Sequence, residues 1–280
     1  MLRIATCQFP VSANIKRNCD FMVRQIEQSA QRGAKLVHFG ECALSGYCGV
    51  DFKTWSGFNW DMLQTSFERI QSVAEQHQVW LVFGSSHRLT GEHLPHNSVY
   101  VVDSSGVLIT RYDKRRCSIK DLNHYTPGTT PITFQVEGIM FGILVCLDYR
   151  FPELYREYMD MGVACALHSF HDARKQGSSL SSAIAQPTLQ GHAGNTAMWI
   201  SVANNSASYQ SFSSLWIDPS GSAEARAKRH RADVIVNELD MAHHGAYITM
   251  VRSFRADARS GSIYAPKIAP DARSDNRTQF

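Results

Sequence analysis

Three short segments of this 280-residue chain bring a thiol, a carboxylate and an ammonium to places where folds expose side chains. In VCLDYRFPELYRE, positions 145–157, an apolar run ends in Cys146 and gives way to a polar turn, Pro152 and a helix start. Such a strand-to-helix elbow can present a side chain at the edge of a sheet. In FGECALSGY an apolar run over 34–39 delivers the chain to Glu41, and in RYDKRR Lys114 closes a hairpin strand inside a basic cluster. A thiol with a pKa of about 8.5 is barely ionised at neutral pH, so nucleophilic chemistry at a cysteine needs a base beside the sulfur or a cation that favours thiolate. Each segment alone also has an ordinary reading: Cys146 as a buried thiol, Glu41 as a solvated loop charge or helix cap, Lys114 as a solvated strand edge.

The elements that must position these residues alternate along the chain. A strand over 2–9 ends at Pro10, and a helix over 14–32 follows, with Ile15, Phe21, Met22, Ile26 and Ala30 at helical spacing. Gly33 breaks that helix, and the strand over 34–39 completes a βαβ unit with Glu41 just past a strand's C-terminal end. A helix over 62–77, a strand over 79–85 and a hairpin over 97–103 and 106–111, turning at Ser104, Ser105 and Gly106, come next. Strands over 132–136 and 140–146, a helix over 152–161, a strand over 164–169, a helical region over 178–197 and strands over 199–203 and 214–218 complete the pattern. The alternation with interspersed hairpins suggests a layered α/β domain rather than a Rossmann arrangement, and no GxGxxG or Walker A motif argues for a nucleotide. No break in composition divides the chain, so 1–250 reads as one domain. The polar, weakly periodic residues 251–280 read as an extended tail that must pack on something, a partner subunit being one candidate surface.

Composition narrows the function classes. With 44% hydrophobic and 19% charged residues the chain resembles an ordinary globular protein, not a disordered, collagenous or coiled-coil one. The net charge of +3 is scattered, apart from a run at 226–231, and is too small for a nucleic-acid face. The opening MLRIATCQFPVSANIKRN shows no signal-peptide pattern and no long apolar run follows, so neither a membrane partner nor export is expected and the cytoplasm is the default compartment. Seven cysteines, at 7, 19, 42, 48, 117, 146 and 165, include no CxxC and no zinc-type spacing, which argues against a disulfide framework or a structural metal.

Taken together, the three segments resemble those of the nitrilase superfamily of carbon–nitrogen hydrolases, amidase-like branch, whose members carry Glu, Lys and Cys in this chain order. The resemblance runs through RIATCQF, the GE…SGY segment, YDK, TPG at 126–128 and, most sharply, CLDYRFPELYR, and extends to VANNS at 202–206 and IDPSG at 217–221. It implies a four-layer αββα sandwich and association into a homodimer or larger homo-oligomer, a role that suits the tail from Val251 onward. It also implies that Cys146 attacks an amide, carbamoyl or nitrile carbon, that Glu41 is general base and acid, and that Lys114 stabilises the oxyanion together with the backbone N–H of Leu147. No metal and no organic cofactor is required.

The chain departs from the family pattern in several places. Asp121 stands where a second Glu is common, in a short loop. Gly40 replaces a frequent Pro before the catalytic Glu. QGHAGN at 190–195 lacks the Arg and Glu of an ARAxEN-like stretch, and HSFH at 168–171 replaces a Pro-containing segment. Asp148 reads as orienting the elbow rather than reacting. The candidate pocket residues are Tyr47, Leu147, Tyr149, Arg150, His168 and His171. For the two histidines the competing reading is an ordinary hydrogen-bonded or surface imidazole, and for Arg150 a structural ion pair with Glu153. Two classes of function stay open: a hydrolase of a small linear amide or carbamoyl compound, with nitrilase or acyltransferase variants of the same thioester chemistry, or a catalytically silent scaffold relative.

Overall fold

In the computed structural model the described residues are 1–174, 176–177, 180–242, 245–261, 271–275 and 277–278. The first half of the chain runs β1 (Leu2–Gln8), α1 (Ile15–Gln31), β2 (Leu36–His38), α2 (Trp60–His77), β3 (Trp80–His87), β4 (His96–Val102) and β5 (Leu108–Asp113). The second half runs β6 (Thr133–Val136), β7 (Ile139–Val145), α3 (Pro152–Asp160), β8 (Cys165–Ser169), α4 (Leu180–Thr196), β9 (Trp199–Ala203), β10 (Leu215–Ile217), β11 (Ala223–Arg226), β12 (Asp233–Leu239) and α5 (Gly245–Arg259). The strands form two mixed six-stranded sheets, ordered β12-β1-β2-β3-β4-β5 and β11-β10-β9-β8-β7-β6.

Both faces of the central strands are buried, which is why they read as continuous apolar runs rather than alternating ones. In β1, Leu2 and Ile4 join the core between the sheets, whereas Ala5 and Cys7 join the layer that holds Cys19, Met22 and Ile26 of α1. Across the middle, Leu36, Val82, Val99 and Tyr112 of one sheet share a cluster with Phe141, Ile143, Val145 and Leu167 of the other. The outer face of the second sheet, with Leu144, Ala166 and Ile200, packs on Leu154 and Tyr158 of α3 and on Leu189 and Ala193 of α4. The layer order is therefore helix, sheet, sheet, helix, the αββα sandwich that the resemblance implies. Truncating a residue buried in the middle layer, such as Ile143→Ala, would cost about 2–5 kcal/mol.

Local signals set the element ends. Asn14 and Asn59 cap α1 and α2 by accepting from the backbone N–H of Arg17 and Met62, and Gln78 ends α2 in the left-handed region at φ 53°. In the β4–β5 hairpin, Asp103 Oδ1 accepts from Ser105 N at 2.9 Å and Val107 N at 3.0 Å, closing the turn through Gly106.

Two parts of the fold differ from the sequence reading. Residues 219–250 carried no assigned element, yet β12 pairs antiparallel with the whole of β1, from Leu2 opposite Leu239 to Gln8 opposite Asp233. DVIVNEL is an edge strand with only Val234 and Leu239 fully buried, so it lacks the solid apolar run that marks the central strands. Residues 251–259 are not extended tail: they continue α5, which buries Ile248 and is tied to α3 by the Arg259–Asp160 ion pair at 2.7 Å. A boundary at 250 cuts that helix's apolar stripe in two, which hides its 3.6-residue period. The rest of the proposed tail includes 262–270, which lie outside the described residues, and with them the subunit contact expected there.

A polar chain crosses the middle layer beneath the site. His38 lies 2.9 Å from Ser201 Oγ through Nδ1 and 3.0 Å from Ser169 Oγ through Nε2, and Thr6 Oγ1 lies 2.7 Å from Ser201 Oγ. Ser169 donates to Phe39 O, so it accepts from His38 Nε2–H, and Nδ1 accepts from Ser201. Burial pushes the His38 pKa down to about 3, so the ring is neutral and the chain carries no charge.

Candidate active site

Glu41, Lys114 and Cys146 each follow a strand end, and close backbone packing holds those ends together. After β2, Glu41 N donates to Phe170 O at 3.2 Å, just past β8. A Cβ on Gly40 would come within 2.7 Å of Phe170 O, so a proline could not stand at 40 without moving the two sheets apart. After β5, Lys114 N donates to Asn97 O at 2.8 Å and its carbonyl accepts from Gly128 N at 2.9 Å. A Cβ on Gly128 would lie 2.3 Å from Asp113 O, which explains why the TPG turn ends in glycine.

Cys146 opens a single 3-10 turn, Cys146–Arg150, after β7, and sits in the left-handed region at φ 42°. A non-glycine residue there costs roughly 1–3 kcal/mol unless its surroundings hold it. They do. Asp148 accepts from Val145 N at 2.9 Å, Tyr112 OH at 2.7 Å and Arg116 N at 3.1 Å, clamping the turn from within. His168 Nε2 lies 3.1 Å from the Cys146 carbonyl, and its Nδ1 lies 2.6 Å from Tyr155 OH. Burial drives the His168 pKa well below its ordinary value, so the neutral ring donates from Nε2 and accepts at Nδ1. One layer further out, His192 meets the Tyr149 carbonyl at 2.8 Å and stacks on Tyr155 at 3.9 Å. The altered QGHAGN stretch thus puts an imidazole under the elbow.

The charges gather around one buried ammonium. Lys114 Nζ donates to Glu41 Oε1 at 2.8 Å, Asp121 Oδ2 at 3.1 Å and Tyr47 OH at 3.4 Å. Burial disfavours the ammonium, but Glu41 foremost, then Tyr47, Cys146 and Asp121, hold its pKa well above the lysine range. Asp121 also accepts from Tyr47 OH at 2.6 Å and Ser118 N at 2.9 Å; against the opposing effect of burial, Lys114 and these bonds keep its carboxyl below the usual range. Both oxygens of Glu41 are oriented, Oε1 by Lys114 and by Asn97 Nδ2 at 2.7 Å, Oε2 by His171 N at 3.0 Å. Burial first and the Glu41 charge second push the Cys146 thiol well above its ordinary pKa, against the pull of Lys114, so the sulfur rests protonated.

Glu41, Cys146, Asp121, Tyr47 and His171 line one cavity of about 300 Å³, with Lys120 and His124 also on its wall. That volume is at the small end of ligand sites. The other candidate pocket residues do not line this cavity. His168 sits behind the elbow as its support. Tyr149 is buried in the helix-facing core, because the turn that exposes Cys146 points it outward, and the exposed Arg150 guanidinium lies 5.8 Å over the Tyr149 ring. Leu147 is partly buried.

Several residues that shape the site had no sequence signal of their own. Asn97, at the start of β4, is buried and bonded to Glu41. Asp51 holds His171 Nε2 at 2.9 Å and Arg174 at 2.6 Å. Asn205 lies 2.9 Å from the same imidazole nitrogen, and it comes from VANNS, a segment that the resemblance covers but to which it assigns no role. A buried polar residue within a strand, as at Asn97, is the one cue that could have been used.

The carbon–nitrogen hydrolase family model matches residues 3–249. Among curated proteins the chain is similar to nitrilase homolog 2 of Dictyostelium discoideum, 24% identical over 58% of this chain and 52% of that protein. It is also similar to omega-amidase NIT2 of Homo sapiens, 26% identical over 57% of this chain and 60% of that protein. The matched stretches thus span little more than half the length of these relatives. Among solved structures, a mutant of the amidase from Nesterenkonia sp. AN1 in complex with butyramide superposes with a TM-score of 0.76 at 19% identity, covering 93% of this chain and 96% of that one. That likeness establishes the shared fold. Among the described residues, no helix is long and apolar enough to cross a membrane.

Proposed function

Because the chain belongs to the carbon–nitrogen hydrolase family, we propose that it hydrolyses the C–N bond of a small amide or carbamoyl compound through a thioester on Cys146. The observation that carries this reading is that Glu41, paired at 2.8 Å with the buried Lys114 ammonium, lines the same small cavity as a cysteine at a left-handed elbow.

The resting thiol decides the order of events. With no stored thiolate, sulfur attacks the carbonyl carbon as Glu41 takes its proton, and the new S–C bond puts negative charge on oxygen. Lys114 and the backbone N–H of Leu147 receive that charge, and one such donor is worth roughly 10²–10³ in rate. The tetrahedral species collapses as Glu41 returns the proton to nitrogen, the C–N bond breaks, and ammonia or an amine leaves. Water then attacks the thioester while Glu41 takes its proton; the C–S bond breaks, the acid departs, and the sulfur recovers the proton from Glu41. Asp121, 3.1 Å from the Lys114 ammonium, keeps it charged and aimed throughout. The omega-amidase and amidase relatives support the choice of amides.

The test is ammonia release from a panel of small amides, ureido acids and nitriles, by the wild type and by Cys146→Ala. Release from amides or ureido acids that vanishes in the variant is the expected result. Turnover confined to nitriles would make it a nitrilase, and hydroxamate formed with hydroxylamine at the expense of free acid would make it an acyltransferase. Silence across the panel with Cys146 inert to iodoacetamide would mark a silent scaffold.

A further inference from the structure

Glu41 uses its two carboxylate oxygens differently. Oε1 accepts from Lys114 Nζ at 2.8 Å and from Asn97 Nδ2 at 2.7 Å, which occupies both of its lone pairs. Asn97 is itself held, because its Oδ1 accepts from the Cys42 thiol at 3.5 Å and leaves the amide nitrogen on Glu41. Among the described residues Oε2 has one partner, the backbone N–H of His171 at 3.0 Å. A proton needs a free lone pair, and Oε2 has one. The proton that passes between Glu41 and the sulfur therefore travels on Oε2, and the N–H that meets this oxygen sets its aim.

That N–H is tied down through its own side chain. The His171 ring lies 2.9 Å from Asp51 Oδ2 through Nε2, and the same carboxylate oxygen accepts from Tyr47 N at 2.9 Å. The Asp51 side chain is fully buried, with Arg174 Nε 2.6 Å from its other oxygen. Against the opposing effect of burial, His171, the Tyr47 N–H and Arg174 hold the Asp51 carboxyl below its usual range. An ionised carboxylate has no hydrogen to give, so the one between it and the ring belongs to Nε2, whatever the charge of the ring. One oxygen thus joins two segments 120 positions apart. Each segment touches the catalytic charges: His171 N meets Glu41, while the Tyr47 hydroxyl donates to Asp121 and accepts from Lys114. Among the described residues Asp51 itself bonds to none of Glu41, Lys114 and Cys146, and it does not line the cavity.

We propose that Asp51 is a positioning residue: through the His171 backbone N–H it aims the proton-carrying oxygen of Glu41, and through Tyr47 it steadies the Lys114 ammonium. This rests on the amide-hydrolase reading and adds a residue to the machinery of that site. Misplacing a reacting group by about 1 Å costs on the order of 10²-fold in rate. Here Phe170 N, bonded to Ala203 O at 2.7 Å, and Asp172 N, bonded to Asn204 Oδ1 at 2.8 Å, keep the residues on either side of His171 in place, so the displacement and the loss are smaller.

The experiment measures kcat and KM for the amide of the panel with the highest kcat/KM, together with the rate of Cys146 alkylation by iodoacetamide, taken as the difference from Cys146→Ala. Alkylation forms an S–C bond and releases iodide while the thiol proton goes to Glu41, so it reads the aim of that carboxylate without any turnover. In Asp51→Ala, kcat should fall about tenfold with KM within about threefold, and alkylation should slow in step. In Asp51→Asn, whose carbonyl can stand at the place of Oδ2 and accept from both His171 and Tyr47, most of both rates should return. His171→Phe keeps the backbone N–H and a ring against Tyr47 but cannot bond to Asp51, and its alkylation should slow likewise; it decides the matter where Asp51→Ala fails to fold. Unchanged alkylation in a folded Asp51→Ala or in His171→Phe, a loss confined to KM, or no recovery in Asp51→Asn would each overturn the proposal while leaving amide hydrolysis standing. Failure of every amide in a wild type whose Cys146 alkylates would overturn the hydrolase reading, and the alkylation rates would still decide the role of Asp51.

Discussion

Two buried polar clusters meet at the end of β2 and differ in charge. Beneath the site, Thr6, Ser201, His38 and Ser169 link the two sheets through a chain in which each donor meets an acceptor and no group is ionised. Three residues further along the chain from His38, Glu41 belongs to a cluster in which two carboxylates share a single buried ammonium. The neutral chain is complete and asks nothing of a ligand. The charged cluster has an excess negative charge and a thiol beside it, and it is poised to pass a proton. Closed hydrogen bonding marks structure here, and uncompensated charge marks the site.

The comparison breaks first at Cys146. Cys146→Ala removes the nucleophile without touching any buried charge, so turnover should fall by roughly 10⁴–10⁶-fold while the urea midpoint stays put. A large loss of stability would mean that the elbow is structural rather than reactive. Lys114→Met tests the ammonium and should fail twice. Losing an oxyanion donor costs roughly 10²–10³ in rate, and leaving Glu41 and Asp121 facing each other costs about 3–5 kcal/mol of stability. Activity measured against urea midpoint separates the two losses, and a variant as stable as wild type would show that the cluster is not held by its charge. Asp121→Asn keeps the hydrogen bonds and removes one charge. The weaker field on Lys114 should lower kcat about tenfold with little change in KM, the scale of a charge-assisted bond replaced by a neutral one. Restored activity in Asp121→Glu would support its equivalence to the second acid of the resemblance.

How much of this was visible in the sequence follows from the same contrast. Glu41 and Cys146 stand out because each ends an apolar run, Lys114 because it closes a hairpin strand, and the αββα order follows from the resemblance that they carry. His168 and His171 look alike in HSFH, yet one buttresses the elbow carbonyl and the other lines the cavity. Nothing in the sequence tells them apart, because the difference lies in which residues from the Cys146 turn, α3 and the 47–51 loop come to meet them. Asn97, Asp51 and Asn205 were hidden for the same reason: their partners are 56, 120 and 34 positions away. Tyr149 and Arg150 follow the nucleophile directly but point elsewhere, since a 3-10 turn rotates successive side chains away from the cavity. The edge strand β12 and helix α5 were missed where burial is thin.

The smallest effect sharpens the neutral side of the comparison. His38 has a folded pKa of about 3 against about 6.5 when unfolded, so between those values the unfolded chain binds a proton that the folded chain refuses. Stability is therefore full above about pH 6.5 and falls as pH drops, by up to about 1.4 kcal/mol per pH unit from this one ring. His168, His87 and His192, also lowered chiefly by burial, act in the same direction and steepen the wild-type slope. Asp51, Asp103, Asp113 and Asp121 are held below their ordinary range and act little between pH 7 and 5, whereas burial raises the Asp148 carboxyl, which opposes the histidines as pH falls. Only the difference in slope between wild type and a His38 variant isolates this ring. His38→Gln keeps a donor and an acceptor between Ser169 and Ser201 but removes the titration, so urea midpoints across the window should show a shallower slope than wild type. An identical slope would mean that His38 takes up its proton in the folded state, and the claim that this chain is charge-free would fall. Activity relative to folded protein should not move, since the neutral chain touches neither Cys146 nor the cavity.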